Sequence, residues 1–67
     1  MIWRVVLSDR EREISDLVSR GLTNEQIGKN LDISAPTVKT HLRNIYSKTG
    51  IHDRANLAIR VLNSDKV

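Results

Sequence analysis

The sequence predicts an all-α domain of four helices, and three observations carry that expectation. Ser, Thr or Asp stands just before each of four runs. The apolar residues recur at spacings of three and four, not two. Gly21 and Gly50 follow two of those runs where a helix would close.

The first run opens on "SDRE", with Ser8 as N-cap and Glu11 at the third helical position, the pair that forms a reciprocal capping box. Ile14, Leu17 and Val18 then make one stripe up to Gly21, which can take the left-handed conformation. Thr23 and Gln26 repeat the device for a second, short helix ending near Leu31, with Leu22 placed to staple onto Ile27. "DIS" is a tight connection. Ser34 caps the third helix, Ile33 staples to Val38, and Pro36 falls in the first turn, where its missing N–H costs nothing. Gly50 closes this helix, and Asp53 caps a fourth, "RANLAIRVL". The polar "NSDKV" reads as a fraying tail. The expected organisation is an arm or linker remnant over residues 1–6, a helix-turn-helix domain over 7–63 and a tail over 64–67. The arm suits either the remnant of a linker to a further domain or the natural start of a stand-alone protein.

Bulk properties narrow the function. In a chain of 67 residues a single core rarely contributes more than about 3 to 5 kcal/mol, and a deep pocket has little room. Cysteine is absent, which excludes disulfides and thiolate zinc sites. No apolar run approaches the length of a membrane span, and "MIWRVV" is too short for a signal peptide. A cytoplasmic, soluble protein with no membrane partner is expected. His41, His52 and Asp53 do not make a triad or a metal set: His41 lies on an exposed helical flank, His52 in the turn after it, and no ligand spacing repeats. The expectation is no enzyme, no cofactor and no metal.

The charge is uneven. Residues 1–36 carry net −1 and residues 37–67 net +4, so basicity lies in the second half, as suits a polyanion. On a helical wheel of the third helix, Val38, Leu42, Ile45 and Thr49 share one face with Tyr46 at its border. Pro36, Thr40, Arg43 and Ser47 form an outward strip with Lys39 at its edge; Thr37, His41, Asn44 and Lys48 form a separate flank. The major groove of B-DNA admits one helix, its floor offers guanine O6 and N7 to Arg or Lys, and its walls are phosphates. Arg43 and Lys39 are therefore candidates for base edges, and Thr40 is small enough for close approach or a thymine methyl. Thr37, His41 and Lys48 are candidates for phosphate, and the helix N-terminus at Ser34 favours one as well. A short capped helix, a brief turn and a basic helix together make a helix-turn-helix.

"LSDRERE" followed by "GLTNEQIGKNLDISAPTVKTHLRNIYSKTGIHDRA" resembles the LuxR-type (GerE-like) helix-turn-helix domain of bacterial transcription regulators, from about Leu7 to Leu62. The resemblance implies a four-helix domain that binds double-stranded DNA as a dimer, third helix in the major groove. It assigns Lys39, Thr40 and Arg43 to base-facing positions and Thr37, His41, Ser34 and Asn24 to backbone-contacting ones. Three residues depart from the family's habit: Ser15 replaces an apolar residue, Gly28 an Ala and Thr49 a Leu, and each thins the expected core.

The fourth helix has an apolar arc wider than one core contact needs. Leu57, Val61 and Ala58 can cover the core while Ala55, Ile59 and Leu62 remain to meet a second copy about a two-fold axis. The resemblance implies the same at Ala55 and Ile59. The alternative is that this patch packs under "MIWRVV" with Trp3 as a lid. The competing function is a helix-turn-helix that mainly binds a protein, such as RNA polymerase or another regulator. RNA binding is disfavoured because Trp3 and Tyr46 are the only aromatic residues.

Overall fold

A computed structural model describes residues 6–64; the expectations about Trp3, the arm before Val6 and the last three residues fall outside them. The described residues form α1 (Asp9–Ser19), α2 (Asn24–Leu31), α3 (Ala35–Thr49) and α4 (Arg54–Ser64), with no strand among them.

The helix ends are built by the residues that announce them. The Ser8 hydroxyl accepts from the Glu11 amide at 3.2 Å while the Glu11 carboxylate accepts from the Ser8 amide at 2.8 Å, and Thr23 and Gln26 do the same at 3.2 and 2.8 Å. Ser34 accepts from the Thr37 amide, and Asp53 from the Asn56 amide. Gly21 and Gly50 take φ of 86° and 74° after α1 and α3. Helix α4 includes Asn63 and Ser64, beyond the expected "RANLAIRVL".

Between α2 and α3 the chain turns at Asp32, which adopts the left-handed conformation at φ 60° and ψ 45°. Aspartate tolerates this region better than most side chains because its short polar group can bond locally. The turn lets the Ile33 amide donate to the Gly28 carbonyl at 2.9 Å and brings the Ile33 carbonyl against Gly28. A Cβ at Gly28 would lie 2.5 Å from that oxygen. Gly28 therefore marks a close approach of the turn to α2; an Ala here would require the turn to retreat.

Leu7, Ile14, Val18, Ile27, Val38, Leu42, Ile45, Ile51, Leu57 and Val61 form the core, with Leu17, Leu22, Leu31, Ile33, Tyr46 and Ala58 packed at its edge. Helix α1 is the central plank: α4 packs most extensively on it, α3 packs on it as well, and α2 packs chiefly on α3. Two departures from the family's habit are satisfied locally. Ser15 is buried with its hydroxyl donating to the Glu11 carbonyl at 2.9 Å. Thr49 is half-buried, donates to the Ile45 carbonyl at 2.8 Å and accepts from the Ile51 amide, which finishes α3 where a Leu would only pack.

Candidate nucleic-acid interface

Helix α3 divides along its length. Val38, Leu42 and Ile45 are buried, whereas Pro36, Thr37, Lys39, Thr40, Arg43, Asn44, Ser47 and Lys48 are exposed and His41 is half-buried. The cations Lys39 and Arg43 are both exposed, and neither side chain has an ion-pair or hydrogen-bond partner among the described residues. An Arg left without an internal acceptor keeps its five-donor fork available for an external one. The Thr40 hydroxyl donates to the Pro36 carbonyl at 3.2 Å, so what this side chain offers outward is its methyl group and oxygen lone pairs.

At the start of α3 the hydroxyls of Ser34 and Thr37 lie 2.8 Å apart. Ser34 occupies the Thr37 amide, the Val38 amide donates to the Ser34 carbonyl, and Pro36 has no N–H. Of the first-turn amides only that of Ala35 is left for an anion, so the helix end is a weaker anion site than the dipole argument suggests. The hydroxyls of Ser34 and Thr37 are the exposed polar groups there.

Lys48 sits at the other end of α3, and its ammonium donates to the Glu11 carboxylate of α1 at 2.8 Å. The same Glu11 oxygen accepts from the Ser8 amide, and the residue is buried. Burial pushes the Glu11 carboxyl up, but the hydrogen bond from Lys48 and those from Ser8 outweigh it and hold it below its ordinary 4.5. Lys48 is therefore engaged, with its charge partly neutralised, which the wheel did not anticipate.

Asn24 is the first residue of α2 and is half-buried. Its carbonyl oxygen accepts from Arg54 Nη1 at 2.7 Å, while Arg54 Nη2 donates to the Leu22 carbonyl at 2.5 Å. The guanidinium thus grips α2 on both sides of its Thr23 cap. Arg54 also lies close enough to Tyr46 to oppose the upward push that burial gives the phenol. Sequence reasoning missed Arg54 and the second task of Glu11 because their partners lie on other helices, where no local spacing announces them.

On α4, Leu57 and Val61 are buried as expected. Ala55 is exposed, and Ile59 and Leu62 leave 54% and 51% of their surface open, with Val6 at 54%. These are the large apolar side chains most open to solvent among the described residues. His52 is exposed, and no group of metal-binding side chains gathers among the described residues. None of the described helices is long and apolar enough to cross a membrane.

Residues 5–61 match the family model described as bacterial regulatory proteins, LuxR family. The monoamine regulon transcriptional regulator of Klebsiella aerogenes is 49% identical over 55 residues, covering 82% of this chain and 24% of that protein. The HTH-type transcriptional regulator MalT of Klebsiella pneumoniae is 46% identical over 48 residues, and that of Yersinia pestis 44%, each covering 72% of this chain and 5% of the relative. The chain thus spans a quarter or less of the length of these curated relatives. With its four helices and capped helix-turn-helix, the chain belongs to the LuxR family of bacterial regulatory proteins, as a domain of DNA-binding transcription regulation.

Proposed function

We propose that α3 enters the major groove of double-stranded DNA, with Lys39, Thr40 and Arg43 toward base edges and Asn24, Ser34, Thr37 and His41 toward phosphates. The observation that carries this reading is the division of α3 into a buried aliphatic face and an exposed face on which Lys39 and Arg43 have no partner among the described residues. The same reading gives Lys48 a phosphate at the far end of the helix. One of its three ammonium donors is on Glu11, so it contributes less there than a free lysine.

The second part of the proposal is a homodimer through Ala55, Ile59 and Leu62. Its half-sites on DNA would lie about one helical turn, roughly 10 bp, apart. Such a protein works in the cytoplasm, where the chromosome is. Selection of bound duplexes from a random pool at a stated salt concentration tests the reading. A recurring sequence should emerge, and log K for it should fall with log salt at a slope of about −0.9 per phosphate contacted. Salt-insensitive binding without sequence preference would instead favour a module that serves a protein partner such as RNA polymerase or another regulator.

A further inference from the structure

The position of Arg54 is at odds with its own helix. It is the first residue of α4, where the positive end of the dipole disfavours a cation, and its guanidinium reaches the first turn of α2, a second positive helix end. The neighbouring Asp53 carboxylate accepts instead from the backbone and side-chain amides of Asn56. A residue placed against its local preference points to a requirement elsewhere.

Arginine has donors and no acceptor, so the Asn24 side chain can present only its carbonyl oxygen to Arg54. This chemistry fixes which way round the amide stands. Its NH2 is then left without an acceptor among the described residues, at the start of the helix that precedes α3. We propose that Arg54 is a positioning residue for DNA binding, holding the Asn24 amide with its NH2 turned toward a backbone phosphate. This rests on the DNA-binding reading above. Without Arg54 the amide could flip or turn away, presenting its oxygen to an anion. The positive charge of Arg54 adds to the attraction at the same point, so charge and orientation need to be separated in the test.

Arg54→Lys separates them, because lysine keeps the charge but cannot bond the Leu22 carbonyl and Asn24 together as a planar fork. Anisotropy titrations of the whole chain with a labelled mixed-sequence duplex would compare this substitution alone and in an Asn24→Ala background. The expected loss of affinity is about five- to tenfold with Asn24 present, the size of one ordinary hydrogen bond, and less than about twofold without it. Equal losses in both backgrounds would overturn the proposal, since a merely structural arginine would act regardless of Asn24.

Asn24→Asp is the second arm, for the case in which Arg54→Lys unfolds the chain. It keeps an acceptor for Arg54 and favours the α2 dipole, so the melting temperature should hold or rise, while DNA affinity falls at least as far as in Asn24→Ala. Unchanged affinity in Asn24→Asp would overturn the proposal. If the parent chain binds duplex with strong salt dependence but the substitutions act independently, the DNA-binding reading stands and the role of Arg54 does not; if the parent binds no duplex, both fall.

Discussion

Replacing Lys48 by Met should destabilise the domain more than replacing its partner Glu11 by Gln. The Glu11 side chain is 5% exposed and that of Lys48 is 44% exposed, so the pair is buried on one side only. Exposed ion pairs are worth about 0 to 1 kcal/mol, whereas stranding one charge of a fully buried pair costs about 3 to 5 kcal/mol. Lys48→Met strands a buried carboxylate that still has the Ser8 amide, which puts the cost between these limits, at about 1 to 2 kcal/mol. Glu11→Gln strands no charge: the amide oxygen can still accept from Ser8, as in the Thr23 and Gln26 pair of α2, the neutral NH2 is the one group left short of an acceptor, and Lys48 is released into water. That change should cost less than about 1 kcal/mol. Against a total of about 3 to 5 kcal/mol for a domain of this size, the first loss is large and the second tolerable.

Dependence on pH sharpens the contrast. In the parent, Glu11 has a folded value below its ordinary 4.5. Its stabilising contribution is therefore fully present above the unfolded value and disappears as pH falls through the folded one. In Lys48→Met the lowering from lysine is gone and the upward push of burial gains weight, so the penalty is greatest where Glu11 is ionised and shrinks once acid neutralises it. Urea unfolding followed by circular dichroism between pH 3 and 7 would show it: a large deficit for Lys48→Met near neutrality closing in acid, and a smaller one for Glu11→Gln. A Lys48→Met protein as stable as Glu11→Gln at neutral pH would refute the reasoning.

At the outward face of α3, Arg43→Ala or Lys39→Ala should cost about 1 to 3 kcal/mol on a selected duplex and relax preference at one base position; equal weakening on selected and random duplexes would argue against base reading. Ile59→Glu, on the exposed side of α4, should abolish self-association in sedimentation velocity and weaken binding to a two-half-site duplex while leaving circular dichroism unchanged; unchanged association and affinity would dispose of the dimer. Ser15→Ala should leave the domain as stable or raise it by a few tenths of a kcal/mol in thermal melts, because the Ser15 hydroxyl donates to a carbonyl of its own helix and Ala is the better helix former.

What the sequence disclosed was local chemistry. Ser8 with Glu11, Thr23 with Gln26, and Ser34 before Pro36 each act within one turn of chain, so their spacing alone placed three helix starts. The division of α3 was legible for the same reason, since a helix maps sequence period onto direction in space. What stayed hidden depended on where the helices meet. Nothing in the spacing distinguishes Lys48, held by Glu11, from Arg43, which is not, and nothing beside Arg54 announces Asn24. Gly28 shows the same limit: by composition it is a missing methyl, and only the approach of the Ile33 carbonyl reveals that the space is taken.

Those hidden contacts give the plain four-helix arrangement a directional logic. Helix α1 buries Ile14 and Val18 in the core and packs against both α3 and α4. Its Glu11 grips the end of α3 at Lys48, while Arg54 at the start of α4 grips the start of α2, which itself packs on α3. The helix proposed to lie in the groove is thus tied at its C-terminal end to α1, and the helix preceding it is tied to α4. A small core supplies little rigidity by itself, since few buried side chains oppose the sliding of one helix on another. Two charged clamps at separate points resist rotation in a way that an aliphatic contact between them does not, because each fixes a donor and an acceptor within hydrogen-bond distance. If the exposed side of α4 meets a second copy, these clamps set the angle at which each α3 is offered to DNA, so weakening either should blur half-site spacing before it unfolds the domain.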